Sequence, residues 1–333
     1  MKQAPVRFPR QGPQCNIAGP IGRASPMESQ KNYKNFWNEK ASTPTGAFIA
    51  VDGSTNEETA RLTGRYSARQ VSLALDLQPG DRVLELGCGV GRIGREIAPR
   101  VAHWEGCDIS SNMLGVARQR LAGLPNTGFT ELHRSSLQPL ADASFDKAYC
   151  VAVFIHMDKE DFYLYLEDMA RVLKPGGLFY FDVWNMASAV GWRRYALEIN
   201  QYRTADPAQR KDVARNQFSS PEEVRVMLDR AGFDLVLELA DSPWVQAIGM
   251  RRGGGDLVAR RAQAQRDAAR IAYTPLWTEL FDGLLDVVTG KCEPSSMWKV
   301  LADDARGEEI PMFRAWYHGL WKVNENAWGP APN

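Results

Sequence analysis

The run Arg82-Val83-Leu84-Glu85-Leu86-Gly87-Cys88-Gly89-Val90-Gly91-Arg92 sets an acid in an apolar strand pattern and places alternating glycines directly after it. Val83, Leu84 and Leu86 form a short buried-strand signal after the turn Pro79-Gly80-Asp81, and Ile93 and Ile97 recur at helical spacing beyond the glycines. The loop is therefore a strand-to-helix crossing. Lacking Cβ atoms, its glycines permit positive φ and let a small ligand lie on the main chain. Asp108, farther along, is placed to accept hydrogen bonds from a pair of ribose hydroxyls. His156, in Val153-Phe154-Ile155-His156-Met157, can take a proton near neutral pH.

Different ligands compete for such a loop. Read from Gly89, the residues spell Gly-x-Gly-x-x-Gly through Gly91 and Gly94, with Asp108 where dinucleotide enzymes keep a ribose-binding acid; that reading makes the chain an NAD-dependent oxidoreductase. Glu85 points elsewhere. A pyrophosphate wants bare N–H groups and the positive end of a helix, whereas a carboxylate suits a cationic ligand. S-adenosylmethionine carries a sulfonium and an ammonium group and no phosphate.

At Leu84-Glu85-Leu86-Gly87-Cys88-Gly89-Val90-Gly91-Arg92 the chain resembles the first motif of the class I S-adenosylmethionine-dependent methyltransferases, and further marks follow in that family's order. Gly106-Cys107-Asp108-Ile109-Ser110-Ser111-Asn112-Met113-Leu114 resembles the second strand with its ribose-binding acid. Ser144-Phe145-Asp146 opens a run to Phe154 that resembles the fourth strand. Arg171-Val172-Leu173-Lys174-Pro175-Gly176-Gly177 resembles the turn before the fifth strand, Leu178 to Trp184. Four landmarks in order weigh more than one glycine loop.

The resemblance implies an α/β fold: a Rossmann-like sheet of seven strands with helices on both faces. It implies S-adenosylmethionine as cofactor and S-adenosylhomocysteine as product. Glu85 is then expected against the methionine portion, with Gly87, Cys88 and Gly89 giving backbone contact; Asp108 on the ribose; Ile109 and Met113 on the adenine; and Cys150 beside the cofactor. The family's acid near the end of the third strand is missing, because Arg134-Ser135-Ser136-Leu137 stands there, so Ser136 or the backbone of Leu137 is the expected substitute. Plainer readings stand beside these: Glu85 as a solvent-facing strand end, and Asp108 as the cap of a helix starting at Ser111. Arg65 is placed either on the cofactor carboxylate or on an open helix surface. His156 is either a base or a packing and cofactor-orienting residue, with Asp182 as the reserve base.

The expected reaction is in-line methyl transfer to a small-molecule or glycan acceptor, preferably at a hydroxyl oxygen. An N-methyltransferase, an oxidoreductase and a cofactor-binding scaffold without transfer activity are the alternatives.

The 333 residues balance 40 basic against 40 acidic side chains, so no global charge footprint for nucleic acid exists and no nucleic-acid partner is expected. A hydrophobic share of 44% supports a real core, yet no apolar run reaches the ~20 residues that span a bilayer. Cysteines at 15, 88, 107, 150 and 292 lack paired spacing and read as reduced thiols; histidines at 103, 133, 156 and 318 lack ligand spacing, and no metal is expected. Residues 1–30, basic and proline-rich without an apolar leader, are expected to be a disordered tail, with a cytoplasmic location.

Residues 31–252 read as the catalytic domain, helical over 31–78 with a break around Pro44 to Asp52. The insertion 185–218 is its expected acceptor lid, since additions at strand carboxyl ends overhang the crevice in open α/β sheets. Residues 253–333, after Gly253-Gly254-Gly255, read as a helical addition carrying Trp277, Trp298, Trp316, Trp321 and Trp328. Those tryptophans suit a small helical core, a homodimer contact, or flat walls for a ring-bearing substrate.

Overall fold

The computed structural model describes residues 33–133, 135–206 and 215–332. The expected tail of residues 1–30, Cys15 and Arg134, and part of the insertion lie outside the described residues.

Among the described residues the central sheet has strands β1 Arg82–Leu86, β2 His103–Asp108, β3 Thr127–Glu131, β4 Phe145–Cys150, β5 Leu173–Asn185, β6 Phe218–Ser219, β7 Phe233–Leu239 and β8 Trp244–Arg251. Their order is 3-2-1-4-5-8-7, with the short β6 paired to β5. Pairings among β1 to β6 are parallel, whereas β8 runs antiparallel to both β5 and β7, as the short link Ala240 to Pro243 predicts. The sheet is thus Rossmann-like, its last strand reversed by a hairpin. β5 starts before the expected Leu178 and takes in Lys174–Gly177, with a register shift against β4 between Phe145 and Lys147.

The helices are α1 Tyr33–Lys40, α2 Pro44–Asp52, α3 Glu57–Leu75, α4 Gly94–Ile97, α5 Ser111–Arg120, α6 Lys159–Val172, α7 Ala189–Gln201, α8 Pro221–Arg230, α9 Leu257–Ile271, α10 Pro275–Val288, α11 Pro294–Leu301, α12 Ile310–Val323 and α13 Glu325–Trp328. Strand period two sends Leu84, Leu86, Phe179 and Phe181 to the sheet face that packs on Phe162 and Leu166 of α6. Val83, Tyr149, Leu178 and Tyr180 go to the other face, under Val71 and Leu75 of α3 and Ile271 of α9. Each large side chain so buried contributes about 1.5–3 kcal/mol.

Pro44 does not break the N-terminal helical stretch; it starts α2. Its fixed φ suits the first turn, and Thr43 Oγ1 accepts from Gly46 N at 3.1 Å to cap the helix. Breaks fall instead at Ala41–Thr43 and at Gly53, which ends α2 with φ 78°.

The Gly253–Gly255 run is held against Pro175 and Gly176 near the start of β5. A Cβ on Gly176 would lie 2.8 Å from Gly255 N, and one on Gly254 would lie 2.8 Å from Pro175 O, so these backbones pack at close range. From there α9 returns to the sheet. Ala264 and Ile271 are buried, Arg260 pairs with Asp76 at 2.8 Å, and Arg261 donates to Leu235 O. The C-terminal helices belong to the same compact unit as the sheet. Among the described residues no helix is long and apolar enough to cross a membrane.

Candidate active site

The glycine loop is tied to the end of β2 by its own N–H groups. Gly87 N and Cys88 N both donate to Cys107 O, at 2.7 and 3.0 Å, which requires the turn that Gly87 (φ 69°) and Gly89 (φ 51°) supply. Gly89 N then donates to Asp108 Oδ2 and Ser110 N to Asp108 Oδ1, each at 2.8 Å. The cap of α5 is Ser110, whose Oγ accepts from Met113 N at 3.1 Å, so Asp108 is not the cap. Asp108 is 8% exposed, and burial pushes its carboxyl up to about 6. Each oxygen keeps a lone pair for a further donor.

A cavity opens over this loop, with Leu86, Gly87, Gly89 and Asp108 on one side and Ile109, Met113, Leu132 and Ser135 beyond. Val151, Ala152, Val153 and His156, which follow β4, close a third side. Tyr33 and Trp37 of α1 and Ala50 and Val51 of α2 roof it. The roof is docked by polar contacts: Tyr33 Oη donates to Asp161 at 2.9 Å, and Ser110 Oγ donates to Asn38 Oδ1 at 2.8 Å. His156 sits under it, its ring 4.9 Å from that of Trp37 in an edge-on contact.

Of the residues expected around a cofactor, the structure gathers Gly87, Gly89, Asp108, Ile109 and Met113 on this one cavity. It places others behind it. Cys88 and Cys150 are core side chains, 2% and 0% exposed. Ser136 Oγ and Leu137 N both bond to Asp168 Oδ2 of α6, at 2.7 and 2.6 Å, and the neighbouring Ser135 lines the cavity in their stead. Arg65 is exposed on α3.

Glu85 also lies behind the loop. Period two turns it onto the face of Val83, opposite Tyr149 in register. Trp104 Nε1 donates to Tyr149 Oη at 3.0 Å, and Tyr149 Oη donates to Glu85 Oε2 at 2.6 Å. Glu85 is 4% exposed, and burial pushes its carboxyl up to about 8, against the opposing pull of Tyr149 and the Arg92 charge. Among the described residues it does not line the cavity, and it does not face solvent.

This burial has a pH signature. With the folded-state value above the unfolded one, the native state holds the extra proton, so stability is full below about pH 4.5 and falls as pH rises through about 8. Glu85→Gln keeps an acceptor for Tyr149 and removes the titration. The variant is expected to lack a fall on the order of 5 kcal/mol that the parent shows across that window, read from denaturant midpoints. Parallel pH profiles for parent and variant would show that Glu85 does not titrate there.

A larger cavity of about 410 Å³ adjoins the first. Ala50, Val51, Val151 and Ala152 line both. Ala152 is a non-glycine residue at φ 58°, and its N–H donates to Asp182 Oδ1 at 2.7 Å. Such backbone costs about 1–3 kcal/mol and persists where its surroundings hold it. Asp182 Oδ2 accepts from Tyr273 Oη, also at 2.7 Å. Asp182 is 1% exposed, and burial pushes its carboxyl above the usual range.

The walls are aromatic. Trp184 and Trp244 stack at 4.8 Å, Trp244 meets Phe281 edge-on at 4.5 Å, and Trp277 meets Phe313 at 4.6 Å. Trp316 Nε1 donates to Asp52 O at 2.7 Å, joining α12 to the end of α2. Trp298, Trp321 and Trp328 instead pack among the C-terminal helices with Tyr317. The tryptophans thus divide between a helical core and the cavity wall.

From the insertion, Arg194 and Asn216 reach this cavity, and Arg193 holds α7 to α10 through Asp282 and Asp286. Arg92 supplies the charge next to the glycine loop. It is 7% exposed, with Nε 3.3 Å from Asp52 Oδ2 and an Nη donating to Thr63 O and Ser67 Oγ. Gly64 allows that approach, since a Cβ there would lie 2.4 Å from Arg92 O.

Sequence reasoning missed Arg92, Tyr273 and the α1–α2 roof. Arg92 stood in the quoted motif, one residue past the last glycine; Tyr273 and Val51 carry no local signal, because only the fold brings them to the crevice.

A model described as a methyltransferase domain matches residues 83–177. Methyltransferase GfsG of Streptomyces halstedii is 37% identical over 117 residues, which is 34% of this chain and 41% of that protein. Demethylmenaquinone methyltransferase of Mycobacterium sp. (strain KMS) is 31% identical over 205 residues, 60% of this chain and 82% of that protein. The solved magnesium protoporphyrin IX methyltransferase of Synechocystis PCC 6803 aligns at 18% identity and TM-score 0.48, covering 66% of this chain and 97% of that one. The chain spans about half the length of several other curated relatives that it matches, 45% of one and 56% of another. Given the match over most of the Mycobacterium relative, the chain belongs to the class I S-adenosylmethionine-dependent methyltransferases.

Proposed function

We propose that the chain transfers a methyl group from S-adenosylmethionine to a hydroxyl oxygen of a small molecule held in the larger cavity. One observation carries this reading: the loop cavity and the aromatic cavity share a wall at Ala50, Val51, Val151 and Ala152, so a donor in one meets an acceptor in the other. The residues present fit the cofactor. Asp108 offers carboxylate oxygens to the ribose, Ile109, Met113 and Leu132 offer an apolar wall to the adenine, and Gly87 and Gly89 expose main chain. The cofactor supplies an already activated methyl group, so positioning supplies most of the rate.

The dinucleotide alternative is weaker here. Only the four-residue α4 follows the loop, and Glu85 lies beneath it, an arrangement with little to offer a pyrophosphate. Calorimetric titration with S-adenosylhomocysteine and with NAD separates the readings: binding of the first is expected, and binding of NAD alone would overturn the proposal. Release of S-adenosylhomocysteine from a mixture of hydroxylated acceptors is the matching activity test, and it fails for a scaffold without transfer activity.

His156 belongs to the donor side in this reading. It lines the loop cavity and packs on Trp37, whereas among the described residues it does not line the larger cavity. Its role is to hold the roof. His156→Ala is expected to weaken S-adenosylhomocysteine binding by about two- to tenfold, the worth of one aromatic contact. Unchanged affinity with lost turnover would return His156 to the role of base.

A further inference from the structure

The lining of the larger cavity says what it can accept. Most of its polar side chains are already engaged with one another, the buried Trp277 Nε1 being the exception among the described residues. Asp52, Arg92, Thr63 and Ser67 form one network. Arg194 and Asn216 are held by the buried Glu198. Asp182 is held by Ala152 N and Tyr273 Oη. A sugar brings many hydroxyls and would leave most of them unpaired against indole and phenyl faces, at a cost for each. Flat rings lose nothing there: Trp184 and Trp244 lie within 24° of parallel, and Trp277 and Phe281 within 13°. The volume of about 410 Å³ falls in the range of about 300–1,000 Å³ that holds ring-bearing small molecules.

One polar group stands out at the donor end. Tyr273 Oη donates to Asp182, so its lone pairs can accept from a ligand hydroxyl and its only proton is committed. Asp182 in turn holds Ala152, which lines both cavities, so this pair stands beside the shared wall. A fixed ammonium ligand is poorly served, since Arg92 neutralises Asp52 and the two Asp182 oxygens already accept from Ala152 N and Tyr273 Oη.

We propose that the acceptor is a fused-ring aromatic alcohol whose ring stacks in the tryptophan-walled cavity and whose hydroxyl donates to Tyr273 Oη. This rests on the methyl-transfer reading. In the reaction the hydroxyl proton passes to Tyr273 Oη as Tyr273 passes its own proton to Asp182. The carboxylate ends protonated, Tyr273 ends as it began, and the acceptor oxygen keeps the electron pair that forms the new C–O bond, while the methyl–sulfur bond of the bound sulfonium would break with its pair going to sulfur and S-adenosylhomocysteine as the leaving group. Tyr273 is the contacting group and Asp182 is the positioning residue behind it.

Calorimetry on the full chain tests this without turnover. Saturation with S-adenosylhomocysteine comes first, and failure at that step sinks the methyl-transfer reading itself. The saturated protein is then titrated with 2-naphthol, 2-methoxynaphthalene, methyl glucoside and tryptamine. The expected result is 2-naphthol binding at least about tenfold tighter than methyl glucoside or tryptamine. Tyr273→Phe is expected to cost 2-naphthol about fivefold, the worth of one hydrogen bond, and to leave 2-methoxynaphthalene unchanged. Asp182→Asn turns the bond around, because the new amide donates to Tyr273 and frees its proton for the ligand. The preference between the two naphthalenes should then shift toward the methoxy compound, a change of sign that a purely structural role would not produce. Tighter binding of the glucoside or of tryptamine, or equal losses for both naphthalenes in Tyr273→Phe with no shift in Asp182→Asn, would overturn the proposal.

Discussion

Asp108→Ala is expected to weaken S-adenosylhomocysteine binding by about 1.5–3 kcal/mol, roughly ten- to a hundredfold, because hydrogen bonds to a buried charged acceptor are lost. The same change removes the partner of Gly89 N and of Ser110 N, so the loop loses its tie to β2 and global stability should also fall. pH gives a finer signature. Ribose hydroxyls donate best to the ionised carboxylate, and burial puts its ionisation at about 6, so cofactor binding releases a proton below that value. Affinity of the parent should therefore rise with pH up to about 6 and level off above it, and Asp108→Ala should abolish that slope. Affinity within twofold of the parent would remove Asp108 from the site.

Arg92→Met is expected to be the most damaging change at the larger cavity. It strips the counter-charge from Asp52, whose side chain is 13% exposed, and leaves Ser67 Oγ and Thr63 O without their donor. Breaking a fully buried pair costs about 3–5 kcal/mol; with Asp52 partly exposed and still bonded by Thr63 Oγ1 at 2.5 Å, about 2–4 kcal/mol is expected. Adding Asp52→Asn should recover much of that loss, since the uncompensated charge is its main source. Loss of the Arg92 charge should also push the Asp182 carboxyl further up, favouring its protonated form and moving the alkaline-rising limb of any pH–rate profile to higher pH. Unchanged denaturant midpoints for Arg92→Met would show that the pair contributes nothing.

Much of the donor side could be read from the chain alone, because its signals are local. Val83, Leu84 and Leu86 before a glycine loop define a strand end, and Gly87, Gly89, Asp108, Ile109 and Met113 do converge on one cavity. Errors there were of fine register. Ser135 and Ser136 are adjacent, and which of them faces the cavity depends on Asp168 of α6, a long-range contact with no sequence mark. Glu85 was misplaced for a related reason: strand alternation gave it a face, but only the partner strand, with Tyr149, shows that the face is dry.

The acceptor side was far less legible. Pro44 looks like a breaker until Thr43 is seen to cap α2. Nothing in the Gly253–Gly255 run itself marks its contact with Pro175 and Gly176, or that α9 beyond it packs back on the sheet. Tyr273 follows α9 and Asp182 lies on β5, 91 residues apart in sequence, so their pairing belongs wholly to the fold.

The central claim is that the donor and acceptor cavities meet at Ala50, Val51, Val151 and Ala152, and a crystal structure with S-adenosylhomocysteine and 2-naphthol tests it most directly. The account predicts ribose hydroxyls on Asp108, the cofactor sulfur at that shared wall, and the naphthol oxygen on Tyr273 facing the sulfur. A sulfur turned away from the aromatic cavity, or adenosine bound anywhere other than beside Gly87, Gly89 and Asp108, would contradict it.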